Sequence, residues 1–455
     1  MPTHGSKDKG KTFKTPPRFG PFVLRLPFVH YPIEWPDYFQ GLLLCAVDLA
    51  AIPLMTDLLG MPFEAALAVV MLNGWLYLLH HLLGDPVIPG WITPAIPLLI
   101  AYVASFPEGE ARMYALIAFQ LSLGLLSILL GITGLANRVV GFIPSAIKSG
   151  IIMGAGITAV TLVMQEGGRF DQFPLTISIA VGLAFYLIFS PHFTALKKRS
   201  RWCRILGKLG IFPIIVLAIL IAPLFGESEF ARVKWGFTQP DFSALINGYT
   251  VFGLGFPTIN YFISAFPVVI AAYVVLFGDV LQTQAIVRDA NKIRRQEVVD
   301  YDSNRAHLLF GSRNSLMSIF GPDVAMCGPL WAAMQVVVTE RYKEGRAMMH
   351  SLISGTGSFR WGTNTGLLLL PIVSLVQPIL GVALALTLLI QGFVSVRIGV
   401  LEARSQRDLG IAGVVAAVLV VKGASWAFAC GIFLCLLIYG KKFFIGENDG
   451  TFPKR

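Results

Sequence analysis

The sequence predicts an all-α polytopic membrane protein with fourteen transmembrane elements in two inverted repeats of seven, whose third and tenth elements are broken helices. Composition is the first reason: 55% of the 455 residues are hydrophobic, only 14% are charged, and the mean hydropathy is +0.69. Soluble domains carry about 25% charged residues, so this chain has too few to cover a compact monomer in water. The other reasons are the number of long apolar runs and two breaks, rich in proline and glycine, at matching places.

The apolar runs are long enough for membrane helices, and segments with charged residues, glycine or proline separate them. The longest separating segment, about 226–260, divides two sets of seven elements. Because seven is odd, the second set enters the membrane from the opposite side, which is an inverted repeat. The predicted elements are 37–59, 63–83, 86–106, 111–133, 142–164, 173–190, 209–225, 261–288, 304–320, 323–340, 362–376, 378–396, 409–421 and 424–440.

Lysine and arginine collect on one side of these elements. With the N-terminus inside and alternating spans, thirty of the 36 basic residues fall in inside segments, and the outer loops hold the remainder, including Arg360. This asymmetry follows the positive-inside rule and explains the net charge of +10 without a nucleic-acid partner. The expected location is the plasma (inner) membrane, with cytoplasmic tails at 1–36 and 441–455 and repeats spanning 37–235 and 236–440.

Two of the elements cannot be continuous helices. The third contains the stretch 84–97 with its four prolines, and the tenth contains 321–329, which begins Gly-Pro-Asp and ends Gly-Pro. Proline removes a backbone donor and favours extended backbone before it. Extended backbone at membrane depth is stable only where protein or a watery cavity satisfies it. Such breaks in both repeats indicate a solute site, although 84–97 also fits an inner-surface loop that binds nothing.

The expected solute site draws on both breaks and on the acids around them. If the broken elements face each other, the starts of their helices converge, and free N–H groups there favour an anion or an electronegative group. Lys148 is the only basic residue expected inside the membrane. The candidate substrate-binding residues are Asp48, Trp91, Ile92, Thr93, Asp279, Asp323, Ala325, Met326 and Cys327.

Three of these residues are acids in or beside apolar runs, where a charge costs about 2.5–3.5 kcal/mol on insertion scales. Asp279 shares a helix face with Thr283 and is the candidate for proton coupling; the alternative is an acid capped by a neighbouring helix terminus or paired with a buried donor. Asp323 fits either a helix cap or a ligand contact. Asp48 either faces the cavity or pairs with Lys148.

Histidines and tryptophans near the breaks have less specific interpretations. His80 and His81 end the second element and point in different directions, so they do not chelate one metal, and interfacial solvation is expected. Trp91 and Trp331 flank the breaks, where they fit either stacking on a planar solute or a place at the membrane interface.

No motif indicates catalysis, a metal site or a cofactor. The five cysteines lack metal-ligand and disulfide spacing, and the sequence has no Walker motif, nucleophile elbow or zinc signature. Neither an enzyme nor an ATP-driven pump is expected. The expected partners are a small-molecule solute and the lipid bilayer.

Three regions of the sequence carry a family resemblance: 143–157, then 278–289 with 320–322, and finally 377–384 with 397–404. They resemble the nucleobase–ascorbate transporter family, which includes the uracil and xanthine permeases, and more distantly the sulfate-permease-like anion transporters. The resemblance implies two inverted repeats of seven, a site between the third and tenth elements, and often a homodimer.

The same resemblance implies two spatial domains. A core domain takes about 37–133 and 261–376, and a gate domain takes about 142–225 and 378–440. The expected function is a secondary active transporter of a small polar or anionic solute, proton-coupled as a symporter through Asp279, with core and gate moving against each other in an elevator-like or rocking motion. The alternatives are a passive channel or facilitator and a sulfate-permease-like anion exchanger of the same fold.

Overall fold

The computed structural model describes residues 13–136, 138, 143–297 and 299–440, and most of this chain is α-helix. Its first half contains α1 (Trp35–Leu49), α2 (Ala51–Leu59), α3 (Phe63–Leu82), α4 (Ile96–Ala104), α5 (Glu110–Ile132), α6 (Ser145–Met164), α7 (Arg169–Gln172), α8 (Pro174–Phe189), α9 (Pro191–Arg199), α10 (Arg201–Lys208) and α11 (Phe212–Leu224). Its second half contains α12 (Phe242–Tyr249), α13 (Val251–Leu254), α14 (Ile259–Ile293), α15 (Ser303–Phe320), α16 (Ala332–Lys343), α17 (Leu352–Leu368), α18 (Leu370–Val376), α19 (Leu380–Glu402), α20 (Gln406–Lys422) and α21 (Ala424–Tyr439).

Six spans among the described residues are long and apolar enough to cross a membrane, or up to eight if each of two bent pairs counts as one. The bent pairs are α8–α9, at 65°, and α10 with α11, at 84°. The chain is therefore a helical protein suited to a bilayer, while the count of fourteen elements in two sevens stays a prediction. The six spans are Trp35–Leu59, Phe63–Leu82, Glu110–Ile132, Ser145–Gln172, Ile259–Ile293 and Leu370–Glu402.

The eleventh predicted element, 362–376, has the wrong boundaries. Helix α17 begins ten residues earlier, at Leu352, and a break at Leu369 separates it from α18. Ser351 starts α17 with a capping box, in which its hydroxyl accepts from the N–H of Ser354. The small and polar residues of 351–360 resemble a loop in sequence, but here they form a buried helix against α1.

Small residues allow the closest helix pairs. Helix α1 packs along α17, α5 along α15, and α6 along both α19 and α20. Where α5 crosses α15, a Cβ added to Gly311 would lie 2.9 Å from the carbonyl oxygen of Gly124. A side chain at that point would separate the two backbones, as is typical of helix packing inside membranes.

The predicted N-terminal tail is partly folded. Within it, β1 (Arg18–Phe19) and β2 (Phe22–Val23) form a short antiparallel hairpin. The Val23 N–H donates to the Leu83 carbonyl at 3.1 Å, the Arg25 N–H donates to the Leu82 carbonyl at 2.8 Å, and Tyr31 is 1% exposed. The segment caps the end of α3 because that helix end offers unpaired carbonyls. Residues 1–12 and the tail 441–455 lie outside the described residues.

Candidate functional site

The two predicted breaks are extended, buried and paired with each other. Gly90 and Gly328 form an antiparallel bridge, in which the Gly328 N–H donates to the Gly90 carbonyl at 2.7 Å. On either side, the Trp331 N–H donates to Ile88 at 2.6 Å and the Ile92 N–H donates to Ala325 at 3.3 Å. Each break thus satisfies backbone groups of the other, as extended chain at membrane depth requires. This paired stretch, 88–92 with 325–331, is called the crossing below.

The alternative of a surface loop at 84–97 does not describe this structure. Residues 84–90 and 321–330 are all buried. A Cβ on Gly328 would lie 2.7 Å from the Trp91 carbonyl oxygen, and one on Gly90 would lie 2.9 Å from that of Leu330. Only glycine at both positions lets the segments approach this closely.

A helix begins beyond each end of the crossing. The first break continues into a 3-10 turn, Thr93–Ala95, and then α4; the second continues directly into α16. The pairing register puts these starts at opposite ends of the crossing, so the expectation that they converge is not met. Each start still presents N–H groups without an acceptor inside the helix. Thr93 beside the first start is exposed, and Trp91 and Trp331 are half-buried.

Asp48 pairs with Arg360, which is a correction in two respects. Arg360 lies within α17 and is fully buried, so its assignment to an outer loop was wrong. Nη1 of Arg360 lies 3.2 Å from Oδ2 of Asp48. Asp48 therefore neither pairs with Lys148 nor faces an open cavity. Arg360 also donates to the carbonyl oxygen of Pro89 in the first break. A charge inside an otherwise apolar region needs such partners.

A second buried arginine binds the other break. Arg313 of α15 donates to the Gly328 carbonyl at 3.3 Å and to Oδ1 of Asn73 at 2.9 Å. Lys148 is therefore not the only basic residue in the helical interior. Both guanidinium groups lie over the Tyr77 ring, with Cζ of Arg313 at 4.2 Å and Cζ of Arg360 at 3.7 Å from the ring centroid. Each arginine thus donates a hydrogen bond to a backbone carbonyl of one break. Both guanidinium groups also make a cation–π contact with Tyr77.

The two adjacent histidines are buried, so the expectation of interfacial solvation was wrong. His80 is 0% exposed and His81 is 1% exposed. Nδ1 of His80 lies 2.7 Å from Asp85, and its Nε2 lies 3.2 Å from Nη1 of Arg313. Because a guanidinium only donates, Nε2 accepts and the proton sits on Nδ1, directed at Asp85. Arg313 lies 233 positions from His80, so no local pattern connects the two, whereas Asp85 follows His80 by five positions.

Asp323 organises the second break from inside. Its Oδ1 accepts from the Ala325 N–H at 2.8 Å, and its Oδ2 accepts from Nδ2 of Asn73 at 2.6 Å. The turn places Met326 at φ 59°, a left-handed conformation that is uncommon outside glycine. These bonds close a turn rather than a helix start, because α16 begins only at Ala332, so the helix-cap alternative for Asp323 is not met and a ligand contact stays a prediction. Four candidate site residues are at most 1% exposed here, namely Asp323, Ala325, Met326 and Cys327; Ile92 is fully buried as well.

Asp279 differs from Asp48 and Asp323 because its carboxylate has no hydrogen-bond or ion-pair partner among the described residues. It lies in the middle of α14 and is half-buried. Thr283, on the same helix face as expected, donates to the Asp279 backbone carbonyl at 2.8 Å rather than to the side chain. Helix α14 packs against both the Thr93–Ala95 turn and α16. Asp279 therefore lies on the helix that packs against the Thr93–Ala95 turn and against α16.

The sequence matches no protein-family model and no curated protein. Among solved structures, the transmembrane domain of a cyanobacterium bicarbonate transporter, BicA, overlaps with a TM-score of 0.48 at 17% identity, covering 87% of this chain and 97% of that one. Murine Solute Carrier 26 family member A9, an anion transporter in the inward-facing state, overlaps with a TM-score of 0.48 at 14% identity, covering 89% and 68%. A second structure of SLC26A9 gives 0.47 at 14%, covering 89% and 65%.

These structures are of anion transporters, like the sulfate-permease-like proteins to which the sequence has the more distant resemblance. They give no support to the resemblance to the nucleobase–ascorbate family. Overlap at this level assigns neither a function nor a solute to this chain.

Proposed function

We propose that this chain is a secondary active transporter of a small polar or anionic solute, which binds beside the crossing. The observation that carries the proposal is the pairing of two buried extended segments, each leading into a helix start. A membrane protein maintains non-helical backbone in its interior only at a cost, and solute sites between repeats are where this is found. Trp91, Thr93 and Trp331 supply accessible surface there, and Asp279 supplies a free carboxylate on the adjoining helix.

Helix packing supports the inverted repeat. Let α1, α3, α5 and α6 be elements 1, 2, 4 and 5, and let α14, α15, α17 and α19 be elements 8, 9, 11 and 12. Exchanging each element for the one seven positions away then turns two of the most extensive contacts into observed ones: α1–α17 becomes α14–α5, and α5–α15 becomes α17–α3. The α6–α19 pair and the crossing each map onto themselves. This exchange is the pattern of a two-fold axis in the membrane plane.

The same contacts support a core and a gate. Pairs α1–α17 and α5–α15 fall within the proposed core, 37–133 with 261–376, while α6 packs on α19 and α20 within the proposed gate, 142–225 with 378–440. Transport would proceed by motion of one body against the other. A homodimer remains a prediction from the resemblance alone.

Proton coupling through Asp279 is the testable part of the mechanism. We expect wild-type protein in proteoliposomes to accumulate an anionic solute when an inward proton gradient is imposed, and Asp279→Asn to lose this response, because an amide cannot take up a proton. Radiolabelled bicarbonate, sulfate, dicarboxylates and nucleobases serve as probes. Asp57→Asn, at an exposed acid on α2, is the matched control and keeps the gradient response.

The outcomes separate the rival functions. Uptake that only equilibrates would indicate a channel or facilitator, and uptake that needs a counter-anion inside would indicate an exchanger. Gradient-driven accumulation of equal size in wild type and Asp279→Asn would remove Asp279 from the coupling step.

Ion pairs join the proposed core to the proposed gate at one end of the molecule. Arg288 lies 2.6 Å from Glu402, Arg397 lies 2.6 Å from Glu340, and Lys197 lies 2.5 Å from Glu344. Five of these six residues belong to segments that the charge count puts inside, and Glu340 is the last residue of the tenth predicted element. Motion of core against gate has to break these pairs.

Reversing one charge should therefore open this end. We expect Glu402→Arg to raise labelling at a cysteine introduced by Ser395→Cys about two- to fivefold, since partly exposed pairs contribute up to about 1 kcal/mol. Ser395 is buried where Gln282 of α14 donates to it. Parallel labelling without Ser395→Cys corrects for the native cysteines. The double reversal Arg288→Glu/Glu402→Arg should restore protection of the introduced cysteine. Labelling unchanged by Glu402→Arg would show that this ion pair does not hold the core and the gate together.

A further inference from the structure

Helices α9 and α10 form a short elbow, residues 191–208, between two apolar helices of the proposed gate. The chain bends by 65° between α8 and α9, and by 84° between α10 and α11. Neither α9 nor α10 is long enough to span a bilayer, while α8 and α11 are strongly apolar. A short segment that bends sharply away from apolar helices on both sides fits the membrane–water boundary.

The elbow is basic without compensating acids. From 191 to 226 the sequence contains no Asp or Glu. Lys197 is buried and pairs with Glu344 of another segment. Four further cations are exposed, and no carboxylate among the described residues lies within ion-pair distance of them; they are Lys198, Arg199, Arg201 and Arg204.

An apolar stripe runs beside these charges on α10. Trp202 is 80% exposed and Ile205 is 41% exposed, and they stand three positions apart on one side of the helix. Arg201 and Arg204 have the same spacing on the neighbouring side. A helix with a basic face beside a tryptophan-bearing apolar face lies in a bilayer surface, where the ring sits at headgroup level and the cations meet lipid phosphates.

We propose that the elbow binds the headgroups of anionic phospholipids and so fixes the gate in its leaflet. Four uncompensated cations favour an anionic occupant, and the exposed Trp202 and Ile205 favour one that carries acyl chains rather than a free phosphate. Because Lys197 reaches Glu344 next to the C-terminal end of α16, the bound elbow also contacts the proposed core through an ion pair. The inference needs the chain to be in a bilayer, but it is independent of which solute is transported.

The test compares purified full-length protein in nanodiscs of phosphatidylcholine with increasing phosphatidylglycerol. We expect phosphatidylglycerol to raise the melting temperature of wild type and to be retained in native mass spectra, with the effect weakened by salt. The variant Lys198→Gln/Arg199→Gln/Arg201→Gln/Arg204→Gln should need about tenfold more phosphatidylglycerol for the same rise. Trp202→Ser should weaken retention without changing the charge.

The matched control removes four exposed cations elsewhere, as Arg18→Gln/Arg232→Gln/Lys234→Gln/Arg407→Gln, and should behave as wild type. An equal loss in this control would show that net charge, rather than the elbow, attracts the lipid. An unchanged response in the elbow variant would overturn the proposal. So would equal stabilisation of wild type by glycerol phosphate in solution, because the occupant would then be a free anion.

Discussion

Replacing Arg360 with methionine should lower the free energy of unfolding by about 3–5 kcal/mol, the range found when one partner of a buried ion pair is removed. The substitution keeps an unbranched side chain of similar length but leaves the Asp48 carboxylate, 3.2 Å from the lost guanidinium, buried without its partner. It also removes the donor to the Pro89 carbonyl in the crossing. Thermal and denaturant unfolding in detergent measure the change.

Two further variants make this result specific. Asp48→Asn/Arg360→Met removes both charges and should recover part of the loss. Arg407→Met, the same change at an exposed arginine, should stay within about 0.5 kcal/mol of wild type. If Arg360→Met were as stable as Arg407→Met, the ion pair would not support the crossing.

Gly328→Ala should abolish uptake, which is the second large effect. The new Cβ would lie 2.7 Å from the Trp91 carbonyl oxygen and 3.1 Å from that of Gly90. Both neighbours are backbone atoms, so the segments must separate and the bridge to Gly90 must lengthen. Overpacking of this kind costs about 1–3 kcal/mol, and it displaces the start of α16 together with the second break.

Gly182→Ala provides the control, because Gly182 lies in α8 with no other atom within 4 Å of an added Cβ. Uptake per correctly folded molecule, judged by a monodisperse gel-filtration peak, is compared for the two variants. Near-normal uptake by folded Gly328→Ala would show that transport does not depend on the close crossing.

Local patterns in the sequence predicted the helical class and both broken elements, because the proline and glycine signals at 84–97 and 321–329 act on neighbouring residues. They also placed Asp279 within a long helix, now α14. Its role, like that of the other candidate binding residues, stays a prediction.

Such local patterns could not predict the partners of the buried charged residues. Asp48 and Arg360 are 312 positions apart, and Asn73 and Asp323 are 250 apart. No periodicity or spacing connects residues at that distance. The sequence alone therefore assigns Arg360 to a loop and gives Lys148 as a possible partner of Asp48, with which Asp48 does not pair. The same reasoning missed the contact between Arg313 and His80, which exists only after α3 and α15 have packed.

The exchange of polar contacts between the halves has a consequence for biosynthesis. Asp48 and Pro89 leave the ribosome long before Arg360 does, and the first repeat contains no substitute for either contact among its described residues. Until translation reaches the second repeat, the nascent first half carries an uncompensated acid and an incomplete interior. Neither half is then an independent folding unit, and the quality-control machinery of the membrane meets every newly made copy in a half-assembled state.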